Sequence, residues 1–111
     1  MEEFLYKLVP VREGFIDTVT EEEEAILERH FNHLKHLLAT GELVLAGPCL
    51  DGTLGLVILR TSSFDRAKHL MEQDPAVKAG IMKASLHPYR VSLMQTFNGD
   101  VQKAEEEITN G

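Results

Sequence analysis

The chain has one cysteine, Cys49, among 111 residues. An intramolecular disulfide is therefore impossible, and a four-cysteine zinc site is excluded. Basic residues are also few: 11 Lys and Arg stand against 18 Asp and Glu, a formal net charge of -7. Nucleic acids and anionic membrane surfaces both select basic patches, so neither is an expected partner. No apolar run is long enough to cross a bilayer. The opening Met1-Glu2-Glu3 is acidic where a secretory leader needs positive charge and then an apolar stretch, so a cytoplasmic location is the expectation. No phosphate-cradling glycine loop, serine elbow or dinucleotide fingerprint occurs, and no segment repeats. No cofactor is expected.

What is present suits one small globular domain. Apolar residues make up 43% of the chain, too many for a disordered protein. Phe4 to Val11 is rich in β-favouring side chains and reads as a first strand, with Pro10 marking its end or an edge. Arg12 to Val19 reads as a loop punctuated by Gly14. Thr20 with Glu23 three residues later is a capping box, and the acidic run Glu21 to Glu24 suits the start of a helix. Leu27, Phe31, Leu34 and Leu38 follow at helical spacing as one apolar stripe, and Gly41 ends the helix. Leu43 to Ala46 is a second strand, and Gly47 to Gly52 is a turn. Leu54 to Arg60 is a third strand. Ser62 or Ser63 caps a second helix to about Gln73, with Ala67, Leu70 and Met71 on its apolar side. Asp74-Pro75 opens a further helical turn closed near Gly80. Ala84 to Met94 is the last strand, interrupted early by Pro88, and Asn98-Gly99 ends the compact part. Residues 1–97 are thus the domain and 98–111 an acidic tail, in which Val101, Ala104 and Ile108 allow a short helix or a disordered segment.

The order strand, helix, strand, strand, helix, strand is the α+β, ferredoxin-like βαββαβ pattern with a four-stranded antiparallel sheet. Two helices cover only one face of such a sheet. Leu43-Val44-Leu45-Ala46 and Leu56-Val57-Ile58-Leu59 do not alternate, so both faces of those strands are apolar and the second needs a cover. A second copy packed sheet to sheet is the economical one, and a homodimer is expected. A monomer whose tail folds over the sheet is the alternative.

Three histidines, His30, His33 and His36, fan across the first helix. Relative to the predicted stripe, His36 faces solvent, His30 sits at the margin, and His33 lies on the flank, where a helix residue can look into a cleft. Nothing elsewhere supplies a convincing third and fourth ligand, so no metal site is expected. Asp74 is explained as a helix N-cap, and the same geometry keeps a carboxylate ionised and ready to orient an imidazole. Gly47-Pro48 ends a strand or brings backbone N–H groups to a ligand. Cys49 reads as a small apolar filler.

His33-Leu34, Gly41, Ala46-Gly47-Pro48, Asp74-Pro75, Ala79-Gly80 and Pro88-Tyr89 together resemble the YCII-related family over about Phe4 to Met94. The resemblance implies a fold of the dimeric α/β-barrel type and a pocket holding a histidine and an aspartate. Matched by motif these are His33 and Asp74, with Asp51 as another acid near the turn. Gly47, Pro48, His30 and Arg12 are the expected substrate-binding residues. The implied chemistry is a cofactor-independent lyase, isomerase or dehydrochlorinase type acting on a small organic molecule. A non-catalytic binding module is the competing expectation.

Overall fold

A computed structural model describes residues 1–95. Strand β1 (Glu2–Pro10) alternates strictly, burying Phe4, Tyr6 and Leu8 on one face. After a turn of 3-10 helix at Phe15–Asp17, helix α1 (Glu21–Thr40) begins at the capping box. The Glu23 N–H donates to Thr20 Oγ1 at 3.1 Å, and the Thr20 N–H donates to Glu23 Oε1 at 3.0 Å. Gly41 closes it in the left-handed region, φ 86°, where a Cβ is disfavoured. Strands β2 (Leu43–Pro48) and β3 (Gly55–Thr61) form a hairpin. Helix α2 (Phe64–Glu72) is capped by Ser63, the short helix α3 (Pro75–Lys78) by Asp74, and strand β4 (Met82–Tyr89) follows.

The sheet order is β2-β3-β1-β4 and every pairing is antiparallel, the ferredoxin-like α+β arrangement. The core joins Phe4, Tyr6, Leu8, Val57 and Leu59 of the sheet to Leu34 and Leu37 of α1 and Ala67, Leu70 and Met71 of α2. Tyr6 lies between Val57 and Leu86 across the ladder. Its position in the middle of this face brings its hydroxyl to the site described below. No helix among the described residues is long and apolar enough to cross a membrane.

Two expectations are corrected. Strand β4 starts two residues earlier than predicted, because Met82 pairs with Pro10, and it ends at Tyr89. Beyond Tyr89 the chain leaves the ladder, and the Val91 N–H donates to the Glu3 carboxylate at 2.9 Å. The buried face of α1 is also rotated from the predicted stripe. Leu34 and Leu37 are buried, with Ile26, Leu27 and His30 partly so, whereas Phe31 and Leu38 are exposed. The Phe31 ring instead meets the Lys35 ammonium at 5.3 Å on the surface. The tail positions Val101, Ala104 and Ile108 lie outside the described residues.

On the sheet face away from the helices, the register sets Leu5, Ile58 and Leu45 side by side. Both faces of β3 are therefore apolar. Together with Tyr89, Val91 and Leu93, Ile58 and Leu45 line a hollow of about 310 Å³ there.

Candidate active site

Asp74 is the centre of the site. The local sequence places it as N-cap of α3: Pro75 stands at the first helical position, where no N–H is needed, and the Ala76 N–H donates to Asp74 Oδ1 at 2.9 Å. Yet Asp74 is 0% exposed, and a buried carboxylate must be fully hydrogen-bonded. Two distant side chains complete it. The Tyr6 hydroxyl, from β1, donates to Oδ2 at 2.8 Å. Nδ1 of His30, from α1, lies 2.7 Å from Oδ1 and 2.9 Å from Oδ2. The Ala76 N–H and the Tyr6 hydroxyl donate one to each oxygen, so Asp74 acts as an acceptor at both.

That arrangement sets the tautomer of His30. A carboxylate accepts, so Nδ1 carries the proton of this contact, and Nε2 of the neutral ring keeps a lone pair. Nε2 makes no hydrogen bond among the described residues, where no buried side-chain nitrogen or oxygen lacks a partner. It is therefore open to solvent, consistent with the 18% exposure of the His30 side chain. An oriented imidazole with a bare, reachable nitrogen can accept a proton from a bound molecule. Burial, and then the adjacent Asp74 charge, push the Tyr6 phenol well above its ordinary range. Its O–H remains a donor at any working pH.

The predicted site residues fall in different places. Asp74 pairs with His30 rather than with His33, and this corrects the expected pair. One turn of α1 makes the difference: His33 Nε2 donates to the Leu70 carbonyl at 3.1 Å, which ties α1 to α2. Asp51, the other acid considered, is exposed and accepts from the Thr53 N–H at 3.0 Å and hydroxyl at 2.6 Å, closing its own turn. Gly47 and Pro48 sit in the β2–β3 ladder opposite Leu56 and Gly55. The hairpin turn beyond them approaches the loop after β1, since a side chain at Gly52 would meet Ile16 Cγ2 at 3.0 Å. Cys49 is exposed rather than a buried filler. Among the described residues no three His, Cys, Asp or Glu side chains cluster so as to hold a metal ion.

Arg12 closes the β1–α1 loop. Its guanidinium donates to both Glu23 carboxylate oxygens, at 2.6 and 2.8 Å, and to the Thr18 carbonyl at 2.7 Å. It also lies 4.8 Å from the Phe15 ring centre. Those hydrogen bonds, with that from the Thr20 backbone, hold the Glu23 carboxyl down at about 2. The folded value is depressed, so the contribution to stability is complete above the ordinary carboxylate range and is lost as pH falls toward 2. A carboxyl-detected NMR titration should find Glu23 still ionised at pH 3, with the Thr18 and Glu23 amide signals moving only below that. In Arg12→Ala the Glu23 midpoint should return toward the ordinary glutamate range.

Tyr6 is the residue that sequence reasoning missed. The available signal was its place between Phe4 and Leu8 on an alternating strand, which buries a hydroxyl that must find a partner.

Comparison with known proteins adds the following. The model of the YCII-related domain matches residues 8–86. No curated protein matches the chain. Among solved structures, the 5-chloro-2-hydroxyhydroquinone dehydrochlorinase from Burkholderia phenoliruptrix AC1100, in complex with 2,5-dihydroxybenzoquinone, is similar to this chain. The TM-score is 0.60 at 21% identity, over 78% of this chain and 93% of that one. At that identity the likeness is one of fold.

Proposed function

The chain belongs to the YCII-related family, and we propose that it is a cofactor-independent enzyme in which Nε2 of His30 takes a proton from a small organic substrate. One observation carries this reading: a partly exposed imidazole has its other nitrogen bonded to a fully buried carboxylate. Burial of Asp74 keeps that bond out of competition with water, and the negative charge stabilises the imidazolium formed on proton transfer. Departure of a leaving group from the substrate then completes an elimination, with the proton returned to solvent from Nε2. The dehydrochlorinase of similar fold supports a hydroxylated ring as the substrate class. Isomerase and lyase chemistry would use the same base.

The working unit we propose is a homodimer. Leu5, Leu45 and Ile58 form an apolar row on the sheet face opposite the helices, and a second sheet is a cover of matching shape.

Ligand binding tests the site directly. 2,5-Dihydroxybenzoquinone is expected to raise the thermal midpoint of the unsubstituted protein and of His33→Ala, but not of His30→Ala. Stabilisation is about 2.7 kcal/mol when ligand is at a hundred times its Kd. An equal rise in His30→Ala would place the ligand elsewhere and remove the basis for this reading.

A further inference from the structure

We propose that Tyr6 is a positioning residue for His30: its phenol, anchored in the sheet, holds the Asp74 carboxylate in the one orientation that keeps the proton of His30 on Nδ1 and leaves Nε2 bare. The three groups come from separate elements, Tyr6 from β1, His30 from α1 and Asp74 from the start of α3. The carboxylate needs more than its helix contact to be fixed. The Ala76 N–H and His30 both engage Oδ1, at 2.9 and 2.7 Å, whereas the shortest contact of Oδ2 is with the Tyr6 hydroxyl at 2.8 Å. Without that hydroxyl Oδ2 would keep only the 2.9 Å contact with His30 Nδ1, which that nitrogen divides with Oδ1, and the carboxylate would lose the one donor that binds Oδ2 alone. Tyr6 is itself 0% exposed and paired on both sides, to Val57 and to Leu86, so its ring does not shift to follow the acid. The hydroxyl also draws charge from the carboxylate. The share of negative charge felt by Nδ1, and with it the proton affinity of Nε2, is set by how strongly Tyr6 donates.

A part for Tyr6 in turnover rests on the reading of His30 as a base. Its effect on the imidazole does not, and can be read without substrate. Two-bond 1H–15N correlation spectra report the tautomer and titration of His30. In Tyr6→Phe the ring packing is kept and the donor removed, so the His30 midpoint is expected to rise by about half a pH unit or more relative to the unsubstituted protein. Replacing Tyr6 alone by 3,5-difluorotyrosine keeps the hydroxyl and makes it a stronger donor, so the midpoint should move the opposite way. If a folded Tyr6→Phe leaves the His30 signals and midpoint unmoved, or if the two variants move it in the same direction, the proposal is wrong. Should Tyr6→Phe fail to fold, the sign found with difluorotyrosine decides. Absence of turnover on every substrate tried would overturn the base reading while leaving these displacements in place.

Discussion

Asp74→Ala is expected to be the most damaging single substitution to stability, lowering it by about 3 kcal/mol or more. Three losses combine. The Tyr6 hydroxyl, buried with Asp74 as its acceptor, is left unpaired, at about 1–3 kcal/mol. The cap of α3 disappears, at about 1 kcal/mol. The remainder is the packing lost at a fully buried side chain. For a domain near 100 residues this corresponds to a thermal midpoint lower by more than about 10 °C, readable by circular dichroism or calorimetry. Asp74→Asn separates structure from chemistry. Its amide oxygen can still cap Ala76, and the Tyr6 hydroxyl can turn to accept from the amide NH2. His30 Nδ1 keeps an acceptor at the Oδ1 position, but the negative charge that stabilises the imidazolium is gone. That variant should stay folded while its base is weakened. A midpoint for Asp74→Ala within about 2 °C of the unsubstituted protein would contradict the buried network.

His30→Ala should reduce turnover about 10²- to 10⁴-fold, the usual worth of a positioned general base. Chloride release from a chlorinated hydroxyhydroquinone is a direct assay, because elimination frees one chloride for each proton removed. The fold should survive, since Asp74 keeps the Tyr6 and Ala76 donors, and far-ultraviolet circular dichroism would check this. Added imidazole is expected to restore part of the rate by entering the space left by the ring. His33→Ala should retain turnover within about threefold, because His33 is turned to the Leu70 carbonyl. The reverse ranking of the two histidines would sink the assignment of His30.

The fold was legible because local chemistry and global pattern agree in this chain. Thr20, Gly41, Ser63 and Asp74-Pro75 stand at the helix ends where capping places them. The site was half legible. Asp74 could be found from its cap position alone, but its partner could not. The apolar residues of α1, read as the inward face, put Phe31 inside and His30 at the margin. In the structure the inward row runs through Leu27, His30, Leu34 and Leu37, with a histidine where a leucine would otherwise sit. Phe31 is 59% exposed in compensation. Hydrophobic periodicity cannot show a polar residue whose burial depends on an acid 44 positions later. Tyr6, separated from Asp74 by 68 positions, was hidden for the same reason.

Those separations bear on how the molecule matures. No early fragment can carry a finished version of the reactive centre, since a strand near the beginning, a long helix and a short turn late in the chain must all be in place first. Until they are, the acid and the phenol remain hydrated, and nothing fixes the ring. On the reading of His30 as the base, the ring is armed only once all three elements are assembled, and partly assembled chains lack it.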